Sequence, residues 1–158
     1  MATFRELMRH YEAAGRCPGP FDDQCAIKVG IALAESGVSL SSFRGARCWN
    51  DDVKHVLRAE QLAGWIGSTP FAGRGETRTL DPATFQSQIN GKTGIIFFKD
   101  YWQRGAETFA NRSGDHIDLW NMNSLGGAWT WFGRGVMEFV GALSDLNDSK
   151  SIRFWEIR

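Results

Sequence analysis

Apolar residues change their spacing near the middle of the chain. In the first half they recur every three or four positions, as one face of a helix requires; in the second they come in runs or alternate. Thr3 and Glu6 form a capping-box pair, and Phe4, Leu7, Met8 and Tyr11 follow at helical spacing up to Gly15, which predicts a short amphipathic helix. Phe21–Gly37 (FDDQCAIKVGIALAESG) predicts a second helix, with Asp22 and Asp23 as N-cap residues and Gly37 as its terminator. Between Cys25 and Ala34 its only charged residue is Lys28, so most of this helix must lie inside the protein. Arg58–Ile66 predicts a third helix stopped by Gly67. Pro82–Ile89, entered through Asp81-Pro82 and closed by Asn90-Gly91, predicts a brief fourth.

The segments between and after these helices read differently. Cys17-Pro-Gly-Pro is a rigid linker, Val38–Cys48 has no clear period, and Asn50–Leu57 ends extended. Ser68–Arg78 is glycine-rich and polar, which predicts a surface loop. Gly94–Lys99 is a β-type apolar run, Trp102–Ser113 a polar loop, and His116–Asn121 a second strand. Gly126-Gly127 turns the chain into the aromatic segment Trp129–Phe132, and Ile152–Ile157 closes it as a strand. Helices first and strands later predict an α+β fold, with helices packed on one side of a mainly antiparallel sheet. No repeat divides the chain, so residues 1–158 are expected as one domain.

Composition narrows the function more than the fold. Apolar residues make up 42%, charged residues 23%, and the formal net charge is zero, without the basic excess expected of a nucleic-acid binder. No window approaches the roughly 18 apolar residues of a membrane span, so no membrane insertion is expected. The opening MATFRELMRHYE lacks the apolar core of a signal peptide, which predicts synthesis in the cytoplasm without a cleaved leader. The three cysteines (Cys17, Cys25, Cys48) form no CxxC pair and there are three histidines, so no metal or cofactor is expected. Seven tryptophans imply aromatic walls, for a core or for a groove.

Two stretches carry chemistry. Cys25 stands in the first turn of the apolar helix, where unpaired N–H groups and the positive end of the helix dipole favour thiolate over thiol. In Gly114-Asp-His-Ile-Asp-Leu-Trp-Asn121, a strand places His116, Asp118 and Trp120 on one face, because side chains alternate with a period of two. A helix-borne thiolate and a strand-borne imidazole are the working pair of papain-type hydrolases. Asp118, Asn121 and Asp115 are the available groups to orient the imidazole. A buried cysteine also serves as a small hydrophobe, and His116 between two aspartates also fits a surface ion pair. His10 and His55 read as solvated.

These residues also carry a resemblance. The Gln24–Gly37 stretch QCAIKVGIALAESG resembles the cysteine-helix motif of the fourth family of type VI secretion amidase effectors. Arg58–Trp65 (RAEQLAGW) resembles that family's next helix. Lys92–Lys99 (KTGIIFFK), Gly114–Asn121 (GDHIDLWN) and the closing Arg153–Ile157 (RFWEI) resemble its strands, all in order. The resemblance implies a papain-like (NlpC-type) cysteine peptidase fold and a toxin injected by the type VI secretion machinery into the periplasm of a rival bacterium. It implies cleavage of peptidoglycan stem peptides between D-glutamate and meso-diaminopimelate, and a cognate immunity protein as partner. Carried over, Cys25 is the nucleophile and His116 the general base, with the backbone at Gln24 or Cys25 as oxyanion donor. In some members an aspartate beyond the histidine strand, near a disulfide-closed turn, orients the imidazole. Here that turn, Met122–Gly127, has neither cysteine nor aspartate, so Asp118 is the favoured third residue and Asn121 the second. The missing local disulfide leaves open a Cys17–Cys48 pair in an oxidising periplasm.

Arg44, Arg47 and Arg112, all in expected loops, are candidates to receive an acidic stem peptide. Trp120, Trp129 and Trp131 could wall the groove or pack the core. Two other functions suit the same fold: an N-acetylmuramoyl-L-alanine amidase, and a non-catalytic module that holds peptidoglycan or a partner protein.

Overall fold

The computed structural model describes residues 1–14, 24–49, 54–103, 105–125 and 146–158. Cys17, Asp22, Asp23, Gly126-Gly127 and Trp129–Phe132 lie outside them.

Helix α1 (Phe4–Ala13) begins where the Thr3–Glu6 pair directs it. The Thr3 hydroxyl accepts from the Glu6 amide, and the Glu6 carboxylate accepts from the Thr3 amide. Phe4, Leu7 and Tyr11 form its buried face. Helix α2 (Cys25–Glu35) is capped by Gln24, with no side-chain cap bond, and so opens directly on Cys25. Its far end is a Schellman motif: the Val38 amide donates to Leu33, the Gly37 amide to Ala34, and Gly37 takes φ +81°. Helix α3 (Ala59–Ser68) runs through Gly67, which was expected to stop it. Burial of Leu62, Ala63, Trp65 and Ile66 outweighs the roughly 1 kcal/mol cost of a helical glycine.

The second half builds a five-stranded antiparallel sheet in the order β1-β5-β2-β3-β4. Its strands are β1 (Arg74–Leu80), β2 (Lys92–Trp102), β3 (Gly114–Met122), β4 (Ser124–Leu125) and β5 (Ser151–Ile157). A short helix α4 (Phe85–Gln88) precedes β2, and a 3₁₀ turn (Phe109–Asn111) precedes β3. β1 corrects the expected surface loop at Ser68–Arg78. It is an edge strand pairing Thr77 with Trp155 and Leu80 with Ile152, and an edge strand with a solvated side keeps the polar composition of a loop. Trp155 secures it by donating its indole N–H to the Thr77 hydroxyl at 2.8 Å.

The two faces of the sheet bury different cores. Ile95, Phe97, Ile117 and Leu119 face α1, α2 and α3, in one cluster with Leu7, Tyr11, Val29 and Leu33. Ile96, Phe98, Trp120 and Phe154 pack on Phe85 and Ile89 on the other face. Ile27, fully buried on a third side of α2, packs on Cys48, so α2 has no wide solvent face. Cys48 is disulfide-bonded, and Cys25 is the free thiol among the described residues. No described helix is long and apolar enough to cross a membrane.

Gly94 lies where β2 crosses β5. A Cβ there would stand 2.2 Å from the Trp155 carbonyl oxygen and 2.8 Å from the Phe154 ring. Gly94→Ala is therefore expected to lower unfolding free energy by about 1–3 kcal/mol, measured by urea titration. A change within experimental error would mean that β2 and β5 do not approach so closely.

Candidate active site

Two elements bring the chemistry together. Cys25 is the first residue of α2 and is half-buried, so its thiol lies at the positive end of the helix dipole, and Gln24 makes no side-chain cap bond. On β3, His116 and Asp118 share a face and stand opposite Phe98 and Ile96 of β2. β4 pairs with β3 only at Trp120 and Asn121, so among the described residues Gly114–Leu119 has no strand on its outer side. α2 packs against β3, which brings the negative charge of Cys25 near enough to the His116 ring to favour its charged form.

The ring's hydrogen-bond partner is Asp118: His116 Nε2 lies 3.2 Å from Asp118 Oδ2. Asp118 is almost fully buried, and its Oδ1 accepts the Leu119 amide at 2.7 Å. The Phe98 ring stacks on His116 and the Tyr101 ring meets it edge-on, each at 6.3 Å. Burial disfavours the imidazolium, but the hydrogen bond to Asp118 and the negative charges of Asp118 and Cys25 outweigh it, holding His116 well above its ordinary 6.5. A thiol at a helix start near an imidazole can, as thiolate, attack a carbonyl carbon, while the imidazolium passes its proton to the leaving amine.

The remaining sequence candidates fall in various places. Gln24 is the N-cap of α2, beside the thiol. Asn121 is five positions from His116, an odd spacing that puts it on the opposite face of β3. Asp115 accepts the Asp100 amide at 3.0 Å, and burial raises its carboxyl above the ordinary range. Arg47 is committed to the carbonyls of Leu40, Phe43 and Lys54, and Arg112 to those of Phe109 and Asp148; Arg44 is exposed. Trp120 is core, and its indole donates to the Ile89 and Met122 carbonyls. His10 and His55 are only partly exposed and line two hollows of about 320 Å³ with Ile31 and Glu35, near the far end of α2 and about 15 Å along it from Cys25. Tyr11 was read as a core residue of α1 and is buried there; burial, with the charge of nearby Asp118, pushes its phenol far above its ordinary range.

Helices carrying a cysteine at one helix start, set against an antiparallel sheet that carries histidine and aspartate, define a papain-like α+β fold. Residues 21–155 match the family "Type VI secretion system (T6SS), amidase effector protein 4", and the chain belongs to it. Among solved structures, the type VI effector Tae4 from Enterobacter cloacae superposes with a TM-score of 0.66 at 17% identity, covering 100% of this chain and 98% of that one. Tae4 of the Tae4/Tai4 effector–immunity system from Salmonella typhimurium superposes with a TM-score of 0.60 at 17% identity, covering 82% of this chain and 90% of that one. A crystal structure of the Tae4–Tai4 complex from Salmonella Typhimurium gives 0.59 at 19% identity, covering 80% and 86%. No curated protein sequence matches the chain.

A base held charged above its free value adds stability that is complete below pH 6.5 and is lost as pH rises through its folded-state value. The thermal midpoint is thus expected to fall as pH rises above 6.5, and Asp118→Asn to flatten that fall. An equally steep fall in the variant would count against the His116–Asp118 pair.

Proposed function

We propose that this amidase effector hydrolyses peptidoglycan stem peptides at the D-glutamate–meso-diaminopimelate amide bond by a cysteine mechanism. The observation that carries the reading is a His116 ring anchored on buried Asp118, on the strand that packs against the helix opening at Cys25. Family membership supplies the class of reaction, and this pairing supports the chemistry.

The Cys25 thiolate attacks the amide carbonyl carbon, forming a C–S bond and a tetrahedral oxyanion. Backbone amides at the α2 start, at Gln24 or Cys25, receive that charge. His116 gives its proton to the amine as the C–N bond breaks. It then takes a proton from water, whose oxygen attacks the thioester and releases acid and thiol. Asp118 keeps the ring in the orientation that serves both steps. Tyr101, beside His116 and half-exposed, is a wall of the groove in this reading.

The chain would meet this substrate in the periplasm of a target cell, delivered by the type VI machinery. A cognate immunity protein would cover the same site in the producer. The relatives' Tae4–Tai4 complexes support such a partner.

The test is a digest of purified Gram-negative sacculi by wild type and Cys25→Ala, read by mass spectrometry. Fragments ending at D-glutamate are expected with wild type alone, and His116→Ala is expected to lower kcat by roughly 10²–10⁴-fold. Cleavage next to muramic acid would replace the bond assignment with an N-acetylmuramoyl-L-alanine amidase. No cleavage by folded wild type, with sacculi that a control enzyme digests, would leave a binding module instead.

A further inference from the structure

We infer that Asp115 is a positioning residue of the hydrolytic site: its carboxylate holds a bulge in β2 that aims the Tyr101 ring at the His116 imidazole. The inference rests on the site reading above and deepens it. β2 and β3 run in register from the Lys92–Met122 pair to the Phe98–His116 pair, and the next pair is Trp102–Gly114. Between those last two pairs β2 runs through Lys99, Asp100 and Tyr101 while β3 has Asp115 alone. In a regular strand Tyr101, three positions after Phe98, would face the other side of the sheet. Instead the two rings meet at 6.4 Å, and Tyr101 packs on the same core cluster as Phe98. The bulge has moved Tyr101 to the face of His116, whose ring it meets edge-on at 6.3 Å.

The chain turns at Asp100, whose φ of +51° lies in the left-handed region that aspartate tolerates better than most residues. At such a point a strand amide leaves the regular ladder and needs another acceptor. Asp115 supplies it, its Oδ1 accepting the Asp100 amide at 3.0 Å. Burial raises the Asp115 carboxyl above its ordinary range, while the bond from the Asp100 amide works the other way. On the opposite flank Lys150, just before β5, donates its ammonium to Asp100 Oδ2 at 3.2 Å and its amide to the Lys99 carbonyl at 3.0 Å. Past the bulge the Trp102 ring lies against Gly114, where a Cβ would stand 2.4 Å from it. Asp115 immediately precedes His116, so one strand carries both the imidazole and the acceptor that sets the ring beside it.

Asp115→Ala removes the acceptor. Its initial rate on sacculi is expected to fall roughly tenfold, inside the roughly 10²-fold that a 1 Å misplacement at a site can cost. The His116 ring-proton resonances, read by NMR without substrate, are expected to shift as the Tyr101 ring leaves its place. Asp115→Asn keeps an oxygen at the Oδ1 position and is expected to show about the wild-type rate and resonances. In a Tyr101→Leu background Asp115→Ala is expected to lower the rate little further, because the ring it acts through is gone. Should Asp115→Ala not fold, Tyr101→Leu alone carries the test, with a lowered rate and shifted His116 resonances expected. Wild-type rate and resonances in Asp115→Ala, or in Tyr101→Leu, would overturn the proposal. So would equal losses in Asp115→Asn and Asp115→Ala, or in the wild-type and Tyr101→Leu backgrounds, the second making Asp115 a purely structural group. Sacculi cut by Cys25→Ala would instead bring down the site reading, and the role given to Asp115 with it.

Discussion

Taking a carboxylate out of water costs several kcal/mol unless charge and hydrogen bonds replace its solvent, and Asp118 is almost wholly buried. Among the described residues the structure meets that demand with the next backbone amide and the ring two residues back. Every other feature of the site depends on this arrangement. The negative charges of Asp118 and Cys25 and the hydrogen bond to Asp118 favour a charged His116, and without Asp118 the ring would lose its anchor.

The scaffold makes the pairing possible by enclosing α2. Its residues are buried against the main sheet face, against α1, and against Cys48 and Leu57. The Gly37 turn fixes its far end. A helix gripped on several sides cannot slide along its axis, so Cys25 keeps its height relative to His116. The sheet contributes the other coordinate. β2 lies between β5 and β3 and pairs with both in register, which sets His116 opposite Phe98 and Asp118 opposite Ile96.

Much of this was legible because it is local. The Thr3–Glu6 pair, the Gly37 stop and the shared face of His116 and Asp118 all follow from spacings of two to four residues. β1 was not legible. Arg-Gly-Glu-Thr-Arg-Thr has the composition of a loop, and its strand character comes from β5, more than seventy residues later. Cations were misjudged for a related reason. Arg47 and Arg112 look available in sequence, but irregular segments leave carbonyls unpaired, and long guanidinium groups satisfy them.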